Sequence, residues 1–372
     1  MANPFAPLRP ALEFIAREGQ VLPATGQAME DLMRPDHAEV LDGLRMGEDK
    51  LLDVIMESPN REPYVELRPL YRTHKHLLRY FLDGSARTFF LGDVIEGTRR
   101  TPVHVAQVGA AAVFRKDSGQ VHVARSTHRI VLMLDKQAVS FGDRVEELVR
   151  EAGPGFMFHD TMEEDGETER TSPGKEPRSR AAHKAHHIMA QIEEELGRSL
   201  PRESGQWLVL DGSLGKDLYP WRAVKEFLGV TKSFSREPLF KLPGARGGAR
   251  VNLYGLLAGL PFSARTCAFS ARSGQVVVWY VRIREQRHLD YPLMGVVKVE
   301  YPNPSQEPVS SELIDELSSA LVAERQATPH GKDVRWHAHL YAIYLAETAV
   351  KNGFVSVEVL KAGIKWPGAQ GT

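Results

Sequence analysis

Trp207–Leu214 reads WLVLDGSL, and the same ending closes an earlier apolar run as FLDGS at Phe81–Ser85. In both places a run with the composition of a buried strand ends on Asp, Gly and Ser. A lone Asp-Gly-Ser is common turn chemistry, because Asp bonds nearby backbone and Gly accepts unusual dihedrals. Two of them, each behind an apolar run, raise the question of whether they form one site.

Working outward from the first, RYFLDGSARTFFLGDV (Arg79–Val94), PVHVAQVGAAAVFR (Pro102–Arg115) and QVHVARSTHRIVLMLD (Gln120–Asp135) are rich in β-branched and aromatic residues, and RKDSGQ between the last two is hairpin-turn chemistry. They predict three consecutive strands in an antiparallel meander. Residues 162–180 are charged, lack aromatic residues and carry Pro and Gly, which predicts a mobile loop. AAHKAHHIMAQIEEELGRSL (Ala181–Leu200) spaces Ile188, Ile192 and Leu196 at four, with Met189 widening the stripe, and predicts a helix packed on a sheet. WLVLD then reads as a buried, parallel strand. Tyr219–Phe234 reads as a helix running into another strand.

The rest divides more coarsely. Residues 1–78 are expected to be mostly helical, from PALEFIAREG (Pro10–Gly19) and GEDKLLDVIMESP (Gly47–Pro59). Residues 79–372 are expected to form the main domain. Within it an inserted β-rich segment at about 235–310 holds RVNLYGLLAGL, GQVVVWYVRIRE and LMGVVKVEYP, followed by helices in Ser311–Arg325 and Arg335–Gly353. Three meander strands, a helix, a buried strand, a helix and a strand make the fold class α/β. The order is that of a ribonuclease H-like mixed sheet, three antiparallel strands then parallel ones, flanked by helices. In that order the first and fourth strands are central neighbours, so Asp83 is expected beside Asp211.

Two aspartates brought together repel unless they are protonated or bridged by cations. Hard carboxylate oxygens suit Mg²⁺ or Mn²⁺, and such ions activate water for phosphodiester hydrolysis. The hydroxyls of Ser85 and Ser213 are placed to bond a carboxylate or a phosphate. A third acid is expected from the helix, where Glu193, Glu194 and Glu195 stand together and periodicity alone does not choose among them. His183, His186 and His187 read as a polar helix start. Lys232 ends an apolar run, as a snorkelling residue or a phosphate contact. Arg282, Arg284 and Arg287, next to Trp279 and Tyr280, read as a nucleic-acid groove or as the outer face of an alternating strand.

The bulk numbers exclude several classes. A formal charge of −1 over 372 residues gives no global basic field. The single cysteine, Cys267, rules out an internal disulfide or a multi-cysteine zinc site. The first residues lack the pattern of a signal peptide, and no stretch is apolar enough to span a bilayer, so a cytoplasmic protein with no membrane partner is expected.

These motifs resemble the NurA family of DNA-end-processing nucleases. The shared features are FLDGSARTFFLG, the Glu-bearing helix, LVLDGSL, the LGVTKS segment about twenty residues on, VVKVEYP and a late His/Tyr helix, from about Arg79 to Gly353. The resemblance implies a metal-dependent DNA nuclease, exonuclease or single-strand endonuclease, that uses Mn²⁺ or Mg²⁺. It also implies a homodimer working on DNA with a HerA-type hexameric ATPase, in end processing or in defence against foreign DNA. By position it assigns metal binding to Asp83, Asp211 and Glu194, with Glu193 close behind, catalysis to His339 as well, and a substrate contact to Tyr341; beside them Lys232 is expected to grip a phosphate. This chain departs from the usual late pattern, with Tyr341-Ala342 in place of Tyr-Pro and Glu347 where a His is expected. The alternatives are a non-catalytic dimeric adaptor that threads DNA for a ring ATPase, and a ribonuclease H-like enzyme acting on RNA or hybrids.

Overall fold

The structure is a computed structural model that describes residues 3–24, 29, 32, 51–52, 55–60, 62–70, 76–162, 177–214, 221, 224–234, 239–241, 250–287, 290–327 and 336–367. Twelve strands form one mixed sheet: β1 (Gln20–Pro23), β2 (Tyr64–Glu66), β3 (Leu78–Glu96), β4 (Arg99–Arg115), β5 (Val121–Leu134), β6 (Phe156–Asp160), β7 (Trp207–Asp211), β8 (Phe227–Thr231), β9 (Ala264–Thr266), β10 (Phe269–Ala271), β11 (Val276–Arg282) and β12 (Val296–Pro302). Their order is β2-β9-β11-β12-β8-β7-β3-β4-β5-β6, with β1 on β3 and β10 on β11. The helices are α1 (Arg9–Glu18), α2 (Gly142–Glu151), α3 (Pro177–Ser199), α4 (Leu253–Ala258), α5 (Ser311–Ala323), α6 (Tyr341–Asn352) and α7 (Val357–Gly363). The chain is a mixed α/β protein.

The meander forms as expected: β3 pairs antiparallel with β4 and β4 with β5. After α3 the chain enters β7, which lies parallel beside β3, and β8 follows parallel on β7. The two pentapeptides are thus carried by neighbouring central strands. One detail differs from the reading as a strand exit. β3 runs 19 residues, straight through Asp83-Gly84-Ser85, because ARTFFLG resumes the β alternation and stays paired with β4. Only β7 ends at its Asp, where Gly212 adopts φ 116°.

Side-chain alternation sorts the strands onto two faces. Tyr80, Leu82, Leu208 and Leu210 pack with Ile188, Ile192 and Leu196 of α3. Phe81, Val209, Leu228 and Val230 pack on the other face, with Ala342, Ile343 and Ala346 of α6 and Ile314 and Leu317 of α5. Asp83, Asp211 and Lys232 continue this second set at spacing two, so they belong to the α6 face.

Several expectations fail for identifiable reasons. Among the described residues 1–78 only α1 is an α-helix; the rest contribute β1 and β2 to the large sheet, and Glu57–Ser58 pairs with Val309–Ser310. The described part of Gly47–Pro59 is extended at Leu51–Leu52 and Glu57–Ser58, where Glu57 is drawn into a buried pair with Arg265. Strands β9 to β12, within the β-rich segment expected at about 235–310, join the main sheet, β12 pairing antiparallel with β8. RVNLYGLLAGL is a strand only at Arg250–Asn252; the Asn252 side chain then accepts from the Gly255 amide and caps α4. The late helix expected over Arg335–Gly353 is broken, a 3₁₀ turn at Trp336–Ala338 preceding α6. Residues 163–176 of the expected loop lie outside the described residues, as does much of the helix expected before β8. Helix α2 and strand β6, which pairs parallel with β5, were not anticipated.

Candidate active site

The register pairs Leu82 with Leu210, so the next residues along, Asp83 and Asp211, are neighbours across the parallel pair of β3 and β7. On the other side of β7, Val230 pairs with Asp211. Lys232 stands two residues on, on the same face, and donates from Nζ to Asp211 Oδ2 at 2.8 Å. Both side chains are nearly enclosed, at 12% and 14% exposure. Asp83 is buried, at 7% exposure.

A fourth charged side chain comes from α6. Glu347 lies near enough for its charge to act on both Asp83 and Lys232. Its Oε2 lies 3.8 Å from Nε2 of the buried His339, and Lys351 binds its other oxygen from one turn further on. In the sequence Glu347 stands where the resemblance expects a His. A Glu followed by Lys at i+4 is the pattern of a solvated helix face, which conceals it.

Among the three helix glutamates the structure distinguishes clearly. A Cβ placed on Gly84 would meet Glu193 Oε1 at 2.6 Å and Met189 Cγ at 2.8 Å, so the Glu193 carboxylate lies over the strand beside Asp83. Glu194, the residue favoured by resemblance, pairs instead with Arg198 at 2.9 Å, and Glu195 is exposed. The reason is helical phase: Glu193 follows Met189 by four on the sheet-facing edge, and Glu194 is turned a further 100° away. Glu193 approaches from the α3 face, opposite Asp83, through the gap the missing side chain of Gly84 leaves.

This surrounding explains the electrostatics. Burial pushes the Asp83 carboxyl well above the usual carboxylate range; Asp211, Glu193 and Glu347 push it the same way, and Lys232 opposes them. For Lys232, burial disfavours the charge, but the attraction of Asp211, Asp83 and Glu347 and the bond to Asp211 outweigh it, so the ammonium holds its proton more tightly than usual.

The remaining candidates lie at the margin or elsewhere. Ser85 is half-buried, two residues past Asp83 in β3. Ser213 is exposed, its hydroxyl 3.2 Å from that of Thr231. His339 touches the site through Glu347, whereas the Tyr341 ring stacks on the Arg325 guanidinium at 4.3 Å. The basic groove is not supported at Arg282. That residue is 1% exposed and donates to the carbonyls of Leu257, Leu260, Pro292 and Met294, which makes it a structural tie. Arg284 stacks on Trp336 at 4.7 Å.

The donor set suits a hard divalent cation. Asp83, Asp211 and Glu347 offer oxygens only; burial first, and then the neighbouring carboxylates, raise the Asp83 carboxyl, and a divalent ion would offset the carboxylate repulsion. Among the described residues no three carboxylate, imidazole or thiol groups already close on one point at ligating distance. Lys232 stands against Asp211 in that position. No protein-family model matches the chain, and no curated protein is similar to it.

Proposed function

We propose that this chain is a divalent-metal-dependent nuclease with a ribonuclease H-like core, hydrolysing phosphodiester bonds in DNA. One observation carries the reading: two aspartates project from adjacent parallel strands at the centre of the sheet, onto the same face, with a helix glutamate over them. The order β5-β4-β3-β7-β8, with α3 leading into β7, supports the core assignment, because it brings the first and fourth strands of that plan together.

Asp83 and Asp211 would hold the ion, with Glu347 as the third oxygen donor. A bound Mg²⁺ or Mn²⁺ supplies a water made acidic enough to attack phosphorus and neutralises charge on the leaving oxygen. The chain's own groups do the rest. Lys351 binds one oxygen of the Glu347 carboxylate, and His339 Nε2 lies 3.8 Å from the other. Lys232 provides an ammonium for a phosphate oxygen. Burial and Asp211 keep the Asp83 carboxylate basic, and Glu193, across Gly84, adds to this. The resemblance to the NurA family extends the proposal to a homodimer that receives DNA from a HerA-type hexameric ATPase, in end processing or in defence against foreign DNA.

The test is incubation of purified protein with linear and circular DNA, RNA and hybrid substrates in Mn²⁺ or EDTA. Mn²⁺-dependent degradation of DNA that is lost in D83N and D211N is expected; degradation unchanged in both variants rejects this site. The Lys232–Asp211 ion pair favours one second reading, a non-catalytic adaptor of a ring ATPase. Metal binding without cleavage, even with the ATPase present, identifies that case.

A further inference from the structure

We infer that Lys232 is the resident cation of the acidic site and exchanges with the divalent ion when a substrate phosphate takes its ammonium. The inference rests on the nuclease reading and adds a control on metal loading. Lys232 Nζ sits 2.8 Å from Asp211 Oδ2, in a nearly enclosed pair. It does so by register: Val230 is level with Asp211, and the side chain two residues on falls on the same face. An ammonium there occupies one of the oxygens a metal needs and repels a second cation at short range. Metal and Lys232 therefore compete for Asp211.

Two features make the exchange workable. Lysine carries its charge on a flexible four-carbon stem, so the ammonium can swing away without moving β8. Lys232 also stands one residue past the end of that strand, where the backbone is no longer paired. A phosphate oxyanion entering beside the aspartates is a better acceptor than the carboxylate it leaves, because the carboxylate gains the metal at the same moment. Metal and nucleic acid then tighten each other's binding, by reciprocal linkage. Until substrate arrives, Lys232 holds the Asp211 oxygen that the metal needs.

The experiment measures Mn²⁺ affinity by calorimetry and by electron paramagnetic resonance, for wild type, K232Q and K232R. It is done without nucleic acid and then with a short phosphorothioate-substituted single-stranded DNA. Without DNA, K232Q is expected to bind Mn²⁺ at least about tenfold more tightly than wild type, while K232R stays weak. Adding the DNA should tighten Mn²⁺ binding to wild type but not to K232Q. Equal affinity of wild type and K232Q, or no effect of DNA on wild type, overturns the inference; the wild-type arm decides even if K232Q fails to fold. Should wild type nevertheless cleave DNA and D83N not, the nuclease reading stands without the exchange. Absence of Mn²⁺ binding in every protein, with no cleavage, overturns both.

Discussion

Replacing Asp83 by Asn should stabilise the protein at neutral pH in the absence of metal. The Asp83 carboxyl is lifted well above its ordinary value of 3.8 by burial and by Asp211, Glu193 and Glu347, against the pull of Lys232. The folded state therefore holds a proton that the unfolded state has lost. With more protons bound when folded, stability falls as pH rises from about 3.8 to the raised folded value, by about 1.4 kcal/mol per pH unit, and is level beyond it. Asn cannot ionise and escapes that loss. Two carboxylates about 5 Å apart on adjacent strands repel by about 3 kcal/mol at an effective dielectric constant near 20, which sets the scale of the pairwise part. Urea denaturation in EDTA, followed by tryptophan fluorescence across a pH series, reads the difference directly. The two proteins should coincide near pH 3.8 and diverge above it, D83N being the more stable, until a plateau marks the folded value of Asp83. A difference that is flat with pH, or that favours wild type as pH rises, would refute the reasoning, since it would mean that Lys232 keeps Asp83 ionised.

Glu347→Gln should reduce Mn²⁺-dependent cleavage at least about tenfold, while costing under about 1 kcal/mol of stability, because its partly exposed pair with Lys351 contributes little; paired nuclease and denaturation assays check it. Arg282→Met should destabilise the fold by about 3–5 kcal/mol by stripping four carbonyls of their donor, without changing the salt dependence of DNA binding; a groove residue would instead lower the salt slope by about 1. Gly84→Ala drives a methyl into Glu193 and Met189 and should cost about 1–3 kcal/mol, whereas Glu193→Gln at the same contact should leave stability within about 0.5 kcal/mol, both read by thermal denaturation.

The central sheet was legible because its signals are local and repeated. β3, β4 and β5 alternate over long stretches, and the Ile188-Ile192-Leu196 stripe names the face α3 turns to the sheet. From these, the meeting of Asp83 and Asp211 follows from strand order alone. The choice of Glu193 depends on a contact across the sheet that helix periodicity does not contain. Gly84 held the signal, since a glycine inside a long strand marks close approach of another group. Glu347 was hidden for a different reason: its importance comes from the packing of α6 over β3, fixed by Ala342, Ile343 and Ala346, and from the break at His339 and Leu340 that sets the phase of the helix. The extended path of Glu57 was likewise set by a partner 208 residues away.

Charge is buried at several places in this protein, and the aspartate pair differs from the others in how its charge is met. Arg265 is enclosed with Glu57, which also accepts from the Ala268 amide, and reaches the half-exposed Asp315. Arg115 and Glu324 form a two-bonded pair. Glu300 lies between Lys298 and Arg272 and accepts from the Leu214 amide; burial opposes its charge, but these neighbours hold its carboxyl below the usual range. Each of these is a tie in which cations or amides meet the carboxylates, as a stable interior requires. Around Asp83 the balance reverses: three acids act on one buried carboxyl, and Lys232 is the cation that opposes them. Burial is the largest cause of that rise and the neighbouring acids add to it, and this imbalance is what the proposed metal site rests on.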